Sequence, residues 1–330
     1  MKKIVSILHI MIFIIILTSC GTQNTQILTT NYITYSLTKE LVGDMANIDV
    51  VTPVSMDYHD YEPTSQDLIK ISHADVFIYL GFAYETYLSE ASLKTYRSED
   101  SINIELINFT EDDHDDEEEH IHEHQEHDEK DHDHYHQEHY WTSPYYLKKM
   151  VQNLYNGLLN YKLNIEKLTQ HKDKLIERID RISIKLENVL SIYQGEPKIY
   201  FIGHNTFHPL ESYFNLEIEV LIDAVNPSSE LTSQQLITFL NDFKNSGVKF
   251  IFVEETFDPS WMTLFKEYIP DLIIYQLNGY HFIKEEDLKN NVSIIDLYER
   301  NINYIIDALL GDKLWLNLKM WMLSLKIISL

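Results

Sequence analysis

The sequence predicts an α/β protein of two β/α lobes with parallel sheets, joined by a long rigid connector helix. Three observations carry this expectation. Short β-branched or aromatic runs alternate with helix-like segments from Ile27 to Leu106, the same alternation resumes at Lys198, and a sustained helical seam lies between the two. Setting aside the first twenty of 330 residues leaves about 310, the length of two ordinary lobes.

In the first lobe, Ile27 to Tyr32 reads as a strand, Leu37 to Met45 as a helix and Ile48 to Val51 as a strand. Pro63 opens a helix through Ser72. Val76 to Leu80 reads as a buried strand, followed by a helix around Tyr84 to Glu90 and a strand at Ile102 to Leu106. Ser143-Pro144 has the form of a helix cap followed by proline at the first helical position, and Leu147, Met150, Val151, Leu154, Tyr155 and Leu158 share one face after it. A second helix begins near Asn164. Its apolar positions Leu175, Ile179, Ile182, Leu186, Val189 and Tyr193 recur at steps of four and three, a seam that runs to Gly195. At 1.5 Å per residue, about thirty residues span roughly 45 Å, enough to run the height of two lobes. The second lobe has strands at Ile199 to Ile202, Leu216 to Ile222, Val248 to Val253 and Leu272 to Leu277, with helices at Ser233 to Asn245, Pro259 to Tyr268 and Ile294 to Leu310.

The expected organisation is therefore a leader at 1–20, a first lobe at 21–142, connector helices at 143–195, a second lobe at 196–310 and an apolar tail at 311–330. The leader settles the compartment. Lys2 and Lys3 precede an apolar run from Ile4 to Leu17, which ends in Leu17-Thr18-Ser19-Cys20-Gly21 and resembles a bacterial lipobox. Export, cleavage before Cys20 and anchoring to the membrane through a lipidated Cys20 are expected. Cys20 is the sole cysteine, so no internal disulfide can form. The tail from Leu314 is short for a membrane span and carries Lys319 and Lys326.

A formal net charge of -26 argues against nucleic acid or an anionic lipid surface as partner and favours cations. The segment from Glu111 to Glu138 holds fifteen acidic residues and one lysine, a net charge of -14. It also holds eight of the sixteen histidines: His114, His120, His122, His124, His127, His132, His134 and His136. With so little apolar surface to bury, it reads as a disordered loop inside the first lobe, with weak metal contact through its imidazoles.

Open α/β sheets bind ligands at the carboxyl ends of their strands. His59 follows the Ile48 to Val51 strand, His204 directly follows Ile199 to Ile202, His281 follows Leu272 to Leu277, and His139 stands just ahead of the connector helices. Imidazole suits zinc, copper and nickel, whereas manganese prefers oxygen-rich octahedral sites, and three or four imidazoles fit tetrahedral zinc. His73, His171 and His208 read as structural or surface residues.

Three segments resemble the zinc and manganese solute-binding lipoproteins of bacterial ABC importers. His59-Asp60-Tyr61-Glu62-Pro63-Thr64, with His73-Ala74-Asp75, Gly81 and Glu85 beyond it, is similar to the family's His-x-Tyr-Glu-Pro-Thr block. His139-Tyr140-Trp141-Thr142-Ser143-Pro144 is similar to its His-x-Trp-x-Ser-Pro, and His204-Asn205-Thr206-Phe207 to its His-Asp-Ala-Phe/Tyr. Asn226-Pro227-Ser228 and Phe250 to Glu254 are in register as well, so the resemblance covers about residues 27 to 310. It departs at Gln137-Glu138, where the family has Asp-Pro, and at Asn205-Thr206.

The resemblance implies a metal in the cleft between the lobes, held by His59, His139 and His204, with His281 or water as fourth ligand; beside it, Glu62 and Glu254 read either as carboxylates that orient the rings or as structural, capping residues. It also implies a His-rich loop of the zinc-specific kind. The function it implies is that of the extracytoplasmic Zn2+-binding component of an ABC import system, a monomer that delivers zinc to a membrane permease. The alternatives are a surface zinc scavenger or adhesin, or a manganese-binding member of the same fold. A hydrolytic zinc enzyme is the rival class, but the sequence lacks a His-Glu-x-x-His helix and a clearly placed general base, so no enzymatic activity is expected.

Overall fold

The computed structural model describes residues 26–98, 100–108, 139–193, 197–203, 206–221, 233–256 and 259–311. The leader with Cys20, the acidic histidine-rich segment, His204 and the tail beyond Gly311 lie outside the described residues.

Two four-stranded parallel sheets form the framework. The first is built from β1 (Gln26–Thr29), β2 (Asn47–Val50), β3 (Val76–Tyr79) and β4 (Ile102–Glu105) in the order β2-β1-β3-β4. Ile27 lies opposite both Ile48 and Val76. The second is built from β5 (Lys198–Ile202), β6 (Glu217–Val220), β7 (Phe250–Glu254) and β8 (Ile273–Leu277) in the equivalent order β6-β5-β7-β8. Successive side chains of a strand face opposite ways, and here both faces are covered, as parallel sheets require. Val76 and Ile78 join one core cluster while Phe77 and Tyr79 join another. Ile199 and Phe201 face that first cluster, and Tyr200 and Ile202 face a third, with Phe239, Phe243 and Phe265.

In the first lobe the helices are α1 (Tyr32–Val42), α2 (Ser65–His73) and α3 (Glu90–Tyr96). Each starts at a capping box, in which a short polar side chain satisfies an otherwise orphaned N–H of the first turn: Asn31 with Thr34, Thr64 with Asp67, and Ser89 with Ser92. Two expectations are corrected by these caps. The strand expected to reach Tyr32 stops at Thr29, because Asn31 accepts the Thr34 N–H at 3.1 Å and turns the chain into α1. The helix expected around Tyr84 to Glu90 is a series of turns, and the helix proper begins after Ser89.

Next come α4 (Pro144–Leu158), with proline at its start, and α5 (Ile165–Ile192), capped by Asn164. At 28 residues, α5 is about 42 Å long. It ends before the expected Gly195, at Ile192. The second lobe adds α6 (His208–Phe214), α7 (Ser233–Ser246), α8 (Pro259–Tyr268), α9 (Glu285–Lys289) and α10 (Ile294–Leu310). The short α6 and α9 were not among the expected helices.

One core cluster runs through both lobes, uniting Ile27, Leu37, Leu154, Ile179, Ile199 and Ile302. α5 therefore does more than bridge. It packs on α1, α4 and α10 together, each fully buried aliphatic side chain being worth roughly 1.5–3 kcal/mol. Arg178 on α5 reaches Asp296 at 2.6 Å and Glu299 at 3.2 Å on α10, and Ser36 on α1 accepts the N–H of Ile294 at 2.8 Å. The strand ends of the two sheets are thus held against each other by one helical scaffold. Among the described residues, no helix is long and apolar enough to cross a membrane.

Candidate metal centre

Three histidines far apart in sequence meet at the strand ends. One ligand nitrogen from each of His59, His139 and His281 lies within 4.8 Å of the others. Their ring centroids are 4.9 to 5.9 Å apart. His139 and His281 are buried at 3% and 1% exposure, whereas His59 is exposed. This is the geometry of imidazoles able to close on one small ion, with one ring on the solvent side.

Each ring is placed by local chemistry. His59 sits in a 3-10 turn, Tyr58–Asp60, that begins where Asp57 accepts the His59 N–H at 3.0 Å. The other carboxylate oxygen of Asp57 stands 3.8 Å from Nδ1 of His281, so the same side chain faces two of the three histidines. His139 immediately precedes the turn Tyr140–Thr142, and its carbonyl accepts from both the N–H and the hydroxyl of Thr142 at 2.9 Å. His281 follows β8 after a turn at Asn278 to Tyr280. A side chain at Gly279 would come within 3.1 Å of the His281 ring and 3.3 Å of Thr206, so glycine leaves the imidazole its space. Tyr58 and Trp141 pack edge-on against the His281 ring and exclude water from one side of it.

Buried carboxylates surround the cluster. Glu254 ends β7 at 3% exposure, and Glu255 follows it, accepting the Gly279 N–H with both oxygens at 2.9 Å. Burial, with the neighbouring charge of Glu254, pushes the Glu255 carboxyl up to about 8. In the first lobe Glu85, 3% exposed, accepts from Thr30, Asn31, Leu80 and Gly81 at 2.6 to 3.3 Å. Burial outweighs these hydrogen bonds and raises its carboxyl to about 7. A polar cavity of about 150 Å³ beside His59 has Tyr58, Tyr61 and Glu85 among its walls. A larger groove, about 820 Å³, runs along α4 and α5 with Lys148 and Asp180 in its lining; it has no histidine and is remote from this chemistry.

Of the residues singled out in the sequence, His59, His139 and His281 are brought together and Glu254 lies buried at a strand end on the second-lobe side. His204 lies outside the described residues, as do Cys20 and the eight histidines from His114 to His136. Glu62 is exposed and makes no hydrogen bond among the described residues. Asp57, with a carboxylate oxygen 3.8 Å from Nδ1 of His281, was not among the carboxylates singled out. Sequence reasoning missed it, although an Asp two residues ahead of a histidine in a turn is a recognisable capping signal. His171 directs Nδ1 to the Leu41 carbonyl at 2.9 Å, His73 ends α2 with Nδ1 on the Ile69 carbonyl at 2.9 Å, and His208 begins α6 in an exposed position.

Two parallel α/β lobes on a common helical scaffold, with imidazoles gathered at their facing strand ends, define a solute-binding protein of the two-lobed class. The chain belongs to the ZnuA family, described as the periplasmic component A of zinc-uptake complexes, whose model matches residues 27–307. It is 28% identical over 313 residues to the zinc-binding lipoprotein AdcA of Streptococcus pneumoniae, covering 92% of this chain and 60% of AdcA. It is 25% identical over 318 residues to the high-affinity zinc uptake system protein ZnuA of Bacillus subtilis, covering 90% of this chain and 94% of that protein. The chain thus spans about three-fifths of AdcA and nearly the whole of ZnuA. The fold matches the metal-dependent lipoprotein YcdH of Bacillus subtilis with a TM-score of 0.69 at 20% identity, over 86% of this chain and 98% of YcdH. It also matches the Zn(II)-bound ZnuA-like domain of S. pneumoniae AdcA with a TM-score of 0.68 at 20% identity, over 86% of this chain and 98% of that domain.

Proposed function

We propose that this protein captures Zn2+ outside the cytoplasm, anchored through a lipidated Cys20, and delivers it to an ABC permease. The observation that carries the proposal is the convergence of His59, His139 and His281 to within 4.8 Å. Neutral imidazoles select zinc over manganese, whose hard ion prefers oxygen ligands. The relatives named zinc-binding lipoprotein and zinc uptake protein point the same way. His204 is the fourth ligand in this reading. Its flanking residues support that, since Gly203 abuts Glu254 and Thr206 stands beside Gly279 and His281.

Cargo must be released as well as held, and the exposed ring of His59 is the natural side for arrival and departure. The protein's own contribution is orientation. His139 and His281 are buried and braced, so little entropy is lost when they converge on an ion.

Metal analysis and calorimetry on the purified protein test this reading. One zinc per chain is expected at the tight site, with manganese bound far more weakly, and His139→Ala should weaken zinc by several orders of magnitude. Transport rescue in cells that carry the permease separates an importer component from a surface scavenger. Tight zinc binding unchanged in His139→Ala would refute the site.

A further inference from the structure

The turn that delivers His281 is held in an unusual backbone conformation. Tyr280 has φ of 68°, in the left-handed region that bulky aromatic residues rarely adopt. Such a conformation persists only where its surroundings over-determine it. Glu255 and Trp141 hold the Gly279 peptide, and one further side chain holds the residues on either side of it. Asn301, on α10 and 1% exposed, accepts the Asn278 N–H at 3.0 Å and donates to the Asn278 carbonyl at 2.8 Å. It donates again to the Tyr280 hydroxyl at 2.8 Å. Within the turn, Asn278 accepts the Tyr280 N–H at 2.7 Å.

The residue type matters. A carboxamide presents an acceptor and two donors in one plane, and all three are used here. Aspartate lacks the donors, and leucine lacks both kinds of group. A flipped amide would set N–H against the Asn278 N–H, so one orientation satisfies the whole set. No nearby part of the ligand turn does this work, because the turn's own residues supply only the Tyr280 to Asn278 bond.

We propose that Asn301 is a positioning residue of the metal site, clamping Asn278 and Tyr280 so that His281 is aimed at His59 and His139. The inference rests on the reading of these histidines as ligands. Asn301 touches no ion. It acts through the left-handed turn, which converts its position on the scaffold helix into the direction of an imidazole. A buried helix shared by the scaffold thereby sets the geometry of a ligand on a loop, and the second lobe presents its histidine already oriented.

The test measures zinc affinity by chelator competition, the visible spectrum of the Co(II)-loaded protein, and unfolding of the metal-free protein. Asn301→Ala is expected to weaken zinc 10- to 100-fold, the range found when residues supporting a metal ligand are lost. Its Co(II) spectrum should move toward that of His281→Ala. In the His281→Ala background the same change should cost less than about threefold, since the two act through one group. Tyr280→Phe, which keeps the backbone clamp and loses one neutral hydrogen bond, should weaken zinc roughly fivefold. A folded Asn301→Ala protein with parental affinity and spectrum would overturn the proposal, as would an equal loss in both backgrounds. Should Asn301→Ala fail to fold, Tyr280→Phe decides, and its parental affinity and spectrum would be the contrary result. Retained tight binding in His139→Ala would instead count against the ligand reading itself, independently of Asn301.

Discussion

Trp141 donates its indole N–H to the carbonyl of Gly279 at 3.0 Å, and each of these residues lies two positions from a histidine of the site, His139 and His281. Trp141 is fully buried, and its ring meets His139 edge-on at 5.1 Å and His281 at 6.1 Å. The bond thus couples two histidine-bearing segments that are 138 residues apart. Indole can only donate and a carbonyl can only accept, so the pairing has no mutual exchange to fall back on.

Trp141→Phe should keep most of the apolar volume while leaving the Gly279 carbonyl without its indole donor. An unsatisfied buried acceptor costs about 1–3 kcal/mol. The expected result is faster zinc dissociation, by roughly 5- to 100-fold, with the secondary structure retained. Stopped-flow chelation measures it, and parental dissociation rates would show that the bond serves folding alone.

Metal affinity should fall steeply in acid, because every coordinating imidazole must lose its proton before it binds. With free imidazole near 6.5, the apparent affinity is expected to be level above about pH 7.5 and to drop with each step below about 6. Zinc titrations between pH 5 and 8 check this. A flat profile would place carboxylates rather than imidazoles on the ion.

Removing the segment from Glu111 to Gln137 should lower zinc stoichiometry and spare the tight site. That segment holds eight histidines at a net charge of -13, and in our proposal it binds zinc weakly and separately from the cleft. Calorimetry of the deletion variant should show the weak heats gone and the tight isotherm intact. Loss of the tight isotherm would instead assign the segment a ligand of the central site.

Glu85 should make the metal-free protein less stable as pH rises through the neutral range. Its folded carboxyl sits at about 7, above the ordinary 4.5, so folding favours the protonated form. The favourable contribution is complete below about pH 4.5 and is lost as the pH climbs through 7, a change on the order of 3 kcal/mol. Glu85→Gln cannot titrate. The excess Tm of the parent over this variant should therefore shrink between pH 4.5 and 7.5, whereas a constant difference would mean that the buried carboxyl does not change charge there.

Much of this molecule could be read before any coordinates. Helices at Pro259–Tyr268 and Ile294–Leu310 fall where the 3.6-residue pattern placed them, and the central strands β3, β5 and β7 lie within a residue or two of their apolar runs. The errors fall where local chemistry competes with composition. Thr30 and Tyr32 are good strand formers, yet the Asn31 cap ends the strand before them. The seven residues of α6 are too few to show a period.

The sequence by itself determined the parallel lobes, the long helix between them and four histidines placed after strands or ahead of a helix, three of them among the described residues, because hydrophobic periodicity and chain order are local properties. What only the tertiary structure decided is how those histidines are held: Asp57 facing both His59 and His281, Trp141 on Gly279, and Asn301 on the turn before His281. Each of these contacts except the Asp57 cap on His59 joins residues 21 or more positions apart. Asp57 reaches His281 and Trp141 reaches Gly279 only once the two lobes are docked on α5, and Asn301 reaches its turn only once α10 packs on β8, so no spacing within a single segment encodes them.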